Sequence, residues 1–279
     1  MKALLMLGAL LSTLPAASSA RDAQVVPLAI HNVKQFTLEA EVAGKPRRFL
    51  FDTGEGITMI SPALAKEIGC EPWGNVTAIR MTGDRLDLQR CDDVRFGIGS
   101  ASFVAPSVIV YDLGEIVGKD EARLDGSIGL DIFAGRTITI DLAERRVIVE
   151  TPASVKRRLV GAVEVPLRLV TGDSGGLDVN LGVKTPRGLA WMELDTGNAG
   201  PTIFVSEWMA PLFELDPTTR QPQDVTVRLA SVVLQTRARV FPKMIMDGNI
   251  GMQLVRDRVI TLDLKSGRAW LAPVKAAKS

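Results

Sequence analysis

The residues in this chain best placed to do chemistry are two aspartates in the same tripeptide. Asp52-Thr53-Gly54 follows the apolar run Phe49-Leu50-Phe51, and Asp195-Thr196-Gly197 follows Trp191-Met192-Glu193-Leu194. Each reads as a strand that delivers a carboxylate into a tight turn. Glycine lets a second backbone approach such a turn closely, and threonine can brace it by bonding neighbouring backbone. Two carboxylates brought face to face cannot both ionise easily, so they share a proton and titrate as a pair. One can take a proton from a bound water while the other donates to a substrate carbonyl oxygen. A single Asp-Thr-Gly is weak evidence, since ordinary composition gives roughly 0.1 per chain of this length and the tripeptide is a natural turn. Two copies in one setting carry the reading.

Other chemistries find few residues. The 279-residue chain has one histidine, His31, and two cysteines, Cys70 and Cys91. A Ser-His-Asp triad would have to use His31, which falls in an expected first strand. A histidine zinc site is excluded, and two cysteines with one histidine make a poor one, so no metal or other cofactor is expected. No Gly-rich phosphate loop occurs, and Gly97-Ile98-Gly99 reads as a hairpin turn. The net charge of +1 gives a nucleic-acid partner no global electrostatic support. The arginine pairs 47–48, 145–146 and 157–158 are scattered and read as solvated strand ends and turns.

The elements that must position the two aspartates repeat along the chain. Val26-Pro27-Leu28 opens one half and Val165-Pro166-Leu167 the other. Asp125-Gly126-Ser127-Ile128-Gly129-Leu130 answers Asp247-Gly248-Asn249-Ile250-Gly251-Met252. Thr137 to Leu142 likewise answers Val259 to Leu264, and each half closes on a last strand. Short runs rich in Val, Ile, Thr and Phe, broken by Gly, Pro, Asp and Asn, argue an all-β fold with a few short helices. One helix is expected from Ser61-Pro62 to Gly69, another from Ser206, and short ones after each Ile-Gly. Residues 151–161 mark the boundary between halves. Only the first half has room for a hairpin over the site, with Met81-Thr82-Gly83 at its turn.

The start reads as a signal peptide. Lys2 precedes an apolar stretch, Ala3 to Leu14, and small residues lead to cleavage after Ala20. That stretch is too short to span a bilayer, and no later run is long enough. The mature chain is therefore expected to be exported, with no integral membrane segment. The pattern is of bacterial type, which implies a periplasmic or secreted protein. Cys70 and Cys91 suit an oxidising compartment. A disulfide between them would stabilise by roughly 3 kcal/mol; two buried free thiols fit the sequence as well.

At the Asp-Thr-Gly turns and the Ile-Gly blocks the chain resembles the aspartic proteases of the retropepsin and pepsin type, most closely bacterial retropepsin-like proteins with two fused halves. The resemblance runs from about Val25 to Pro273 and rests on Phe49 to Gly54, Ile60-Ser61-Pro62 and the two Ile-Gly blocks. It implies a bilobal acid-protease fold with pseudo-two-fold symmetry: a signal peptide at residues 1–20, one lobe at 21–155 and the other at 156–279. It implies peptide hydrolysis by a monomer acting on a peptide or protein substrate. Asp52 and Asp195 become the catalytic pair, and Thr53, Gly54, Thr196, Gly197, Ile128, Gly129, Ile250 and Gly251 their support. The chain departs from the family pattern after each turn, where Glu55 and Asn198 replace the usual small or hydroxyl residue. Glu55 would raise the pair's pKa if it faced inward. The sole tyrosine, Tyr111, lies outside the hairpin, where pepsins carry one. These departures keep a second reading open, a silent module that binds peptides or proteins in its cleft.

Overall fold

The computed structural model describes residues 23–274 apart from residues 33, 115–123 and 173. The leader expected at residues 1–20 lies outside the described residues. No helix among the described residues is long and apolar enough to cross a membrane.

Strands dominate, and they form three sheets. The first lobe has eight strands in the order Ala29–His31, Gln35–Val42, Lys45–Phe51, Gly126–Ile128, Met59–Ile60, Ala101–Val110, Arg85–Ile98 and Trp73–Ile79. The second has seven, in the order Leu167–Thr171, Leu177–Thr185, Gly188–Leu194, Gly248–Ile250, Thr202–Ser206, Val232–Phe241 and Gln223–Leu229. The two orders correspond strand for strand, and the extra strand of the first lobe, Trp73–Ile79, sits at its sheet edge. The third sheet has six antiparallel strands drawn from both lobes. At its centre Thr137–Asp141 pairs with Arg258–Asp263, so that Thr139 lies opposite Thr261. Their buried hydroxyls are 2.9 Å apart, where the pseudo-two-fold axis passes. The chain thus has the all-β, bilobal acid-protease architecture.

Alternation builds the core. Along Leu177–Thr185, Val179, Leu181 and Val183 are all fully buried, as a strand with one inward face requires. Phe49, Phe51, Phe96 and Phe133 fill the first lobe. Three arginines from the scattered pairs make ion pairs: Arg47 with Glu67 at 2.6 Å, and Arg146 with Asp141 and Arg158 with Glu150, each at 2.9 Å.

The helices are short. Pro62–Glu67 begins where the sequence signal stands, with Ser61 Oγ accepting from Leu64 N at 3.1 Å. Short helices also follow both Ile-Gly blocks, at Asp131–Phe133 and Met252–Val255. The expectation at Ser206 is corrected. Ser206 ends the strand Thr202–Ser206, because its residues pair in parallel with Arg237 to Phe241, and the next helical turn is Ala210–Phe213. The boundary segment is a helix, Pro152–Arg158, closed at its start by a Thr151–Ser154 capping box.

Candidate active site

Each Asp-Thr-Gly leaves one strand and returns by another, with the Ile-Gly strand between them. Lys45–Phe51 pairs in parallel with Gly126–Ile128, and Met59–Ile60 pairs antiparallel to that same short strand. The second lobe repeats this with Gly188–Leu194, Gly248–Ile250 and Thr202–Ser206. The Ile carbonyls fix the aspartates' own backbones: Asp52 N donates to Ile128 O at 3.1 Å, and Asp195 N to Ile250 O at 3.0 Å.

The threonines act across the lobes, not within their own turns. Thr53 Oγ1 donates to Leu194 O at 2.7 Å and accepts from Thr196 N at 3.0 Å. Thr196 Oγ1 donates to Phe51 O at 3.1 Å and accepts from Thr53 N at 3.1 Å. Both side chains are buried, so neither finds water as a substitute. The glycines make room at this crossing. A Cβ on Gly54 would sit 2.6 Å from the Asp195 carboxyl carbon, and one on Gly197 would collide with Asp52 Oδ2.

The carboxyls of Asp52 and Asp195 meet at this crossing, where a Cβ on Gly197 would crowd Asp52 Oδ2 and lie 3.0 Å from Asp195 Oδ1. Asp52 Oδ1 accepts from Gly54 N at 3.0 Å and Gly197 N at 3.2 Å. Asp195 Oδ1 accepts from Asn198 N at 3.0 Å, and its Oδ2 from Asn249 Nδ2 at 2.6 Å. Burial, then the charge of Asp195, pushes the Asp52 carboxyl up to about 8. The pair therefore holds one proton through neutral pH.

The residues after the two turns differ in company. Glu55 faces inward, where Ser127 Oγ donates to Oε1 and Oε2 is buried with no partner among the described residues. Burial first and the Asp52 charge second hold Glu55 well above the usual carboxylate range. A carboxyl with one neutral donor and no cation is favoured in its neutral form. The largest causes acting on Asp52 are burial and Asp195, and Glu55 is itself raised by the Asp52 charge. Asn198 instead anchors a chain of amides. Its Nδ2 donates to Asn249 Oδ1 at 2.9 Å, which turns Asn249 Nδ2 toward both Asp195 and Glu193.

Of the supporting residues read from the sequence, Gly129 N donates to Thr58 Oγ1 at 3.2 Å. Thr58 in turn donates twice to Asp131, from its backbone N at 2.9 Å and its hydroxyl at 2.7 Å. Burial raises Asp131 to about 6. In the other lobe Gly251 N donates to Gln253 Oε1 at 3.0 Å. Cys70 and Cys91 form a disulfide, with Cα atoms 6.1 Å apart, that ties the end of Pro62–Glu67 to the hairpin strand Arg85–Ile98.

That hairpin roofs the cleft. Its turn carries Met81, Thr82 and Gly83 and reaches the second lobe, where Ile245 N donates to Met81 O at 3.1 Å. Gly83 has φ +84°, and a Cβ there would lie 2.8 Å from Lys243 O, so both conformation and space demand glycine. The space beneath is a cleft of about 1020 Å³ that contains both aspartates. It is large for a small-molecule pocket and suits an extended segment of chain. Among the described residues no cluster of His, Cys, Asp or Glu could hold a metal ion.

Sequence reasoning missed Glu193, Asn249, Ser127, Asp131 and Asp178 as members of this site. Glu193 was the accessible one: it stands two residues before Asp195, and alternation puts both on one face of the strand.

Residues 38–132 match the aspartyl protease family model. No curated protein matches the chain. Among solved structures the chain is similar to conglutin gamma, a basic 7S globulin from lupine seeds, at 9% identity and a TM-score of 0.56, covering 90% of this chain and 95% of that one. Basic 7S globulin from soybean gives 10% identity and a TM-score of 0.56, with coverage of 90% and 95%. The protein edgp gives 10% and 0.55, with coverage of 92% and 96%. The family match lies within the first lobe, and the likeness to the solved structures covers the fold of both lobes.

Proposed function

We propose that this chain is an aspartic-type endopeptidase that hydrolyses peptide bonds with a water activated by Asp52 and Asp195. The observation that carries the reading is the meeting of the two carboxyls at the lobe boundary, where a Cβ on Gly54 would lie 2.6 Å from the Asp195 carboxyl carbon and one on Gly197 would crowd Asp52 Oδ2. A bound water facing such a pair loses a proton to the ionised member as it attacks the carbonyl carbon. The protonated member donates to the carbonyl oxygen. Asp52, raised to about 8, holds the shared proton. Asp195, which already receives the Asn198 and Asn249 donors, accepts the proton from water. The donors at Gly54, Gly197 and Asn249 are fixed before substrate arrives, so little reorganisation is left for the reaction. The disulfide and the leader expected at residues 1–20 support action outside the cytoplasm.

A second reading, a silent peptide- or protein-binding module, draws on Glu55 and Asn198 and on the description of two similar structures as globulins. The experiment that separates the two is cleavage of a mixed peptide library. Asp52→Asn and Asp195→Asn should each lower cleavage by about 10³-fold or more while the protein stays folded. Cleavage that survives either change removes the shared-proton mechanism. Peptide binding by the wild-type protein with no cleavage at any pH favours the module.

A further inference from the structure

The two walls of the cleft are built from corresponding positions of opposite chemistry. Leu50 stands two residues before Asp52, opposite Thr37 on one side and Ser127 on the other. Glu193 stands two residues before Asp195, opposite Asn180 and Asn249. Both line the cleft. Around Leu50 the wall is apolar: Leu50, Leu113 and Leu124 form their own cluster with Met59 and Tyr111, separate from the main core. Around Glu193 it is acidic.

Glu193 is only 6% exposed, yet one of its oxygens is free. Oε2 accepts from Asn249 Nδ2 at 3.1 Å, and no described residue donates to Oε1. Asp178, on the neighbouring strand Leu177–Thr185, also lines the cleft, and its carboxylate has no hydrogen bond or ion pair among the described residues. Its carboxylate lies beside Gly56, where a Cβ would be 2.9 Å from Oδ1. Five carboxyl side chains line this cleft, against two cations, Lys34 and Arg80, both exposed. A nearly buried carboxyl that lacks a counter-charge is a costly arrangement. A cationic ligand group would relieve that cost.

We infer that the cleft selects substrates with an apolar side chain against the first lobe and a lysine or arginine against the second, where Glu193 and Asp178 receive the cation. The inference deepens the endopeptidase reading and rests on it for the word substrate. Ammonium or guanidinium in contact with Glu193 Oε1 favours the ionised carboxyl, so the Glu193 proton leaves to solvent and a charge-assisted hydrogen bond forms in a largely desolvated wall. An aliphatic side chain in the same place leaves two carboxyls unpaired.

The test uses peptides identical except for the two residues flanking the scissile bond: Leu-Lys, Lys-Leu, Leu-Leu and Leu-Glu. For the wild-type protein, kcat/KM for the better of the two Lys peptides should exceed that for Leu-Leu by about 10- to 100-fold. Leu-Glu should be the poorest. Glu193→Gln keeps the side-chain volume and should bring the Lys-to-Leu ratio near one. Glu193→Leu, which gives the second lobe the first lobe's residue, should turn the preference toward Leu-Leu. Equal rates for Lys and Leu peptides in the wild-type protein, or a ratio unchanged in Glu193→Gln, overturns the inference and leaves the peptidase reading standing. If the wild-type protein cleaves none of the peptides, the peptidase reading falls and binding of the same peptides decides. A Lys preference that disappears in Glu193→Gln then supports the acidic wall, and equal or absent binding overturns it.

Discussion

The two lobes share a strand order and an Asp-Thr-Gly turn, yet they hold their aspartates by different means. In the first lobe, backbone amides alone reach Asp52, and Ser127 spends its hydroxyl on Glu55. In the second, the corresponding residue is Asn249, whose longer side chain reaches Asp195 itself. The first lobe adds a roof and a disulfide, and the second adds an acidic wall. The difference teaches that duplication conserved the crossing of the chains and freed everything one residue away from it. What must match is the reciprocal threonine bonding, because each half of it is useless without the other.

The largest break in this comparison comes from making the lobes alike. Asn249→Ser gives the second lobe the shorter donor of the first and removes the bond to Asp195. Peptide cleavage should fall by about 100-fold, measured as kcat with folding checked by circular dichroism. A loss under about threefold would mean that the side-chain donor is not part of the machinery. The disulfide sets the next scale. Cys70→Ser with Cys91→Ser should cost about 3 kcal/mol, read as a drop in Tm of roughly 6–12 °C. If the variant unfolds at the same temperature as the wild type, the first lobe does not need its staple.

A smaller effect follows from the buried carboxyls. Asp52, Glu55, Glu193 and Asp131 all have folded-state pKa values above their unfolded values. Above about pH 4 the unfolded chain has released these protons while the folded chain keeps them, Asp131 up to about 6 and Asp52 up to about 8. Their contribution is complete below the unfolded values and is lost as pH rises through the folded ones. Tm at pH 5 should therefore exceed Tm at pH 8, on the order of 5 °C, as read by calorimetry. A Tm that climbs from pH 5 to pH 8 contradicts neutral burial of these groups. The smallest effect belongs to Glu55. Glu55→Gln copies its neutral form, so the basic limb of the kcat/KM profile should stay near pH 8, where Asp52 titrates. A limb that moves by a full pH unit would mark Glu55 as a tuning group.

The sequence made the bilobal fold legible because the signals were duplicated. Two Asp-Thr-Gly turns and two Ile-Gly blocks at matching places define one ψ-shaped crossing each, and Ser61-Pro62 announces its helix by capping chemistry. Ser206 misled for a physical reason. It has the composition of a helix start, but pairing with the strand Val232–Phe241 outweighs local propensity. The helix Pro152–Arg158 went unread because its capping box hides in a segment that composition marks as a linker. At the site, the aspartates and glycines were readable from type and spacing. Asn249 and Asp131 were not, because their roles depend on contacts with residues 54 and 73 positions away in the chain. Glu55 was legible by position but not by its surroundings, since a sequence does not tell whether a carboxyl meets water or Ser127.

The reciprocal threonine bonds also bear on timing. A chain emerging from its N-terminus completes the first Asp-Thr-Gly long before the second exists. Until Leu194 O and Thr196 N arrive, the Thr53 hydroxyl lacks both its acceptor and its donor, and the first turn lacks its bonds across the lobes. The central sheet closes later still, when Arg268–Pro273 pairs with Val163–Val165. Whatever reaction the two aspartates perform is thereby withheld from the nascent half-molecule, and competence waits for the second lobe to be made and paired.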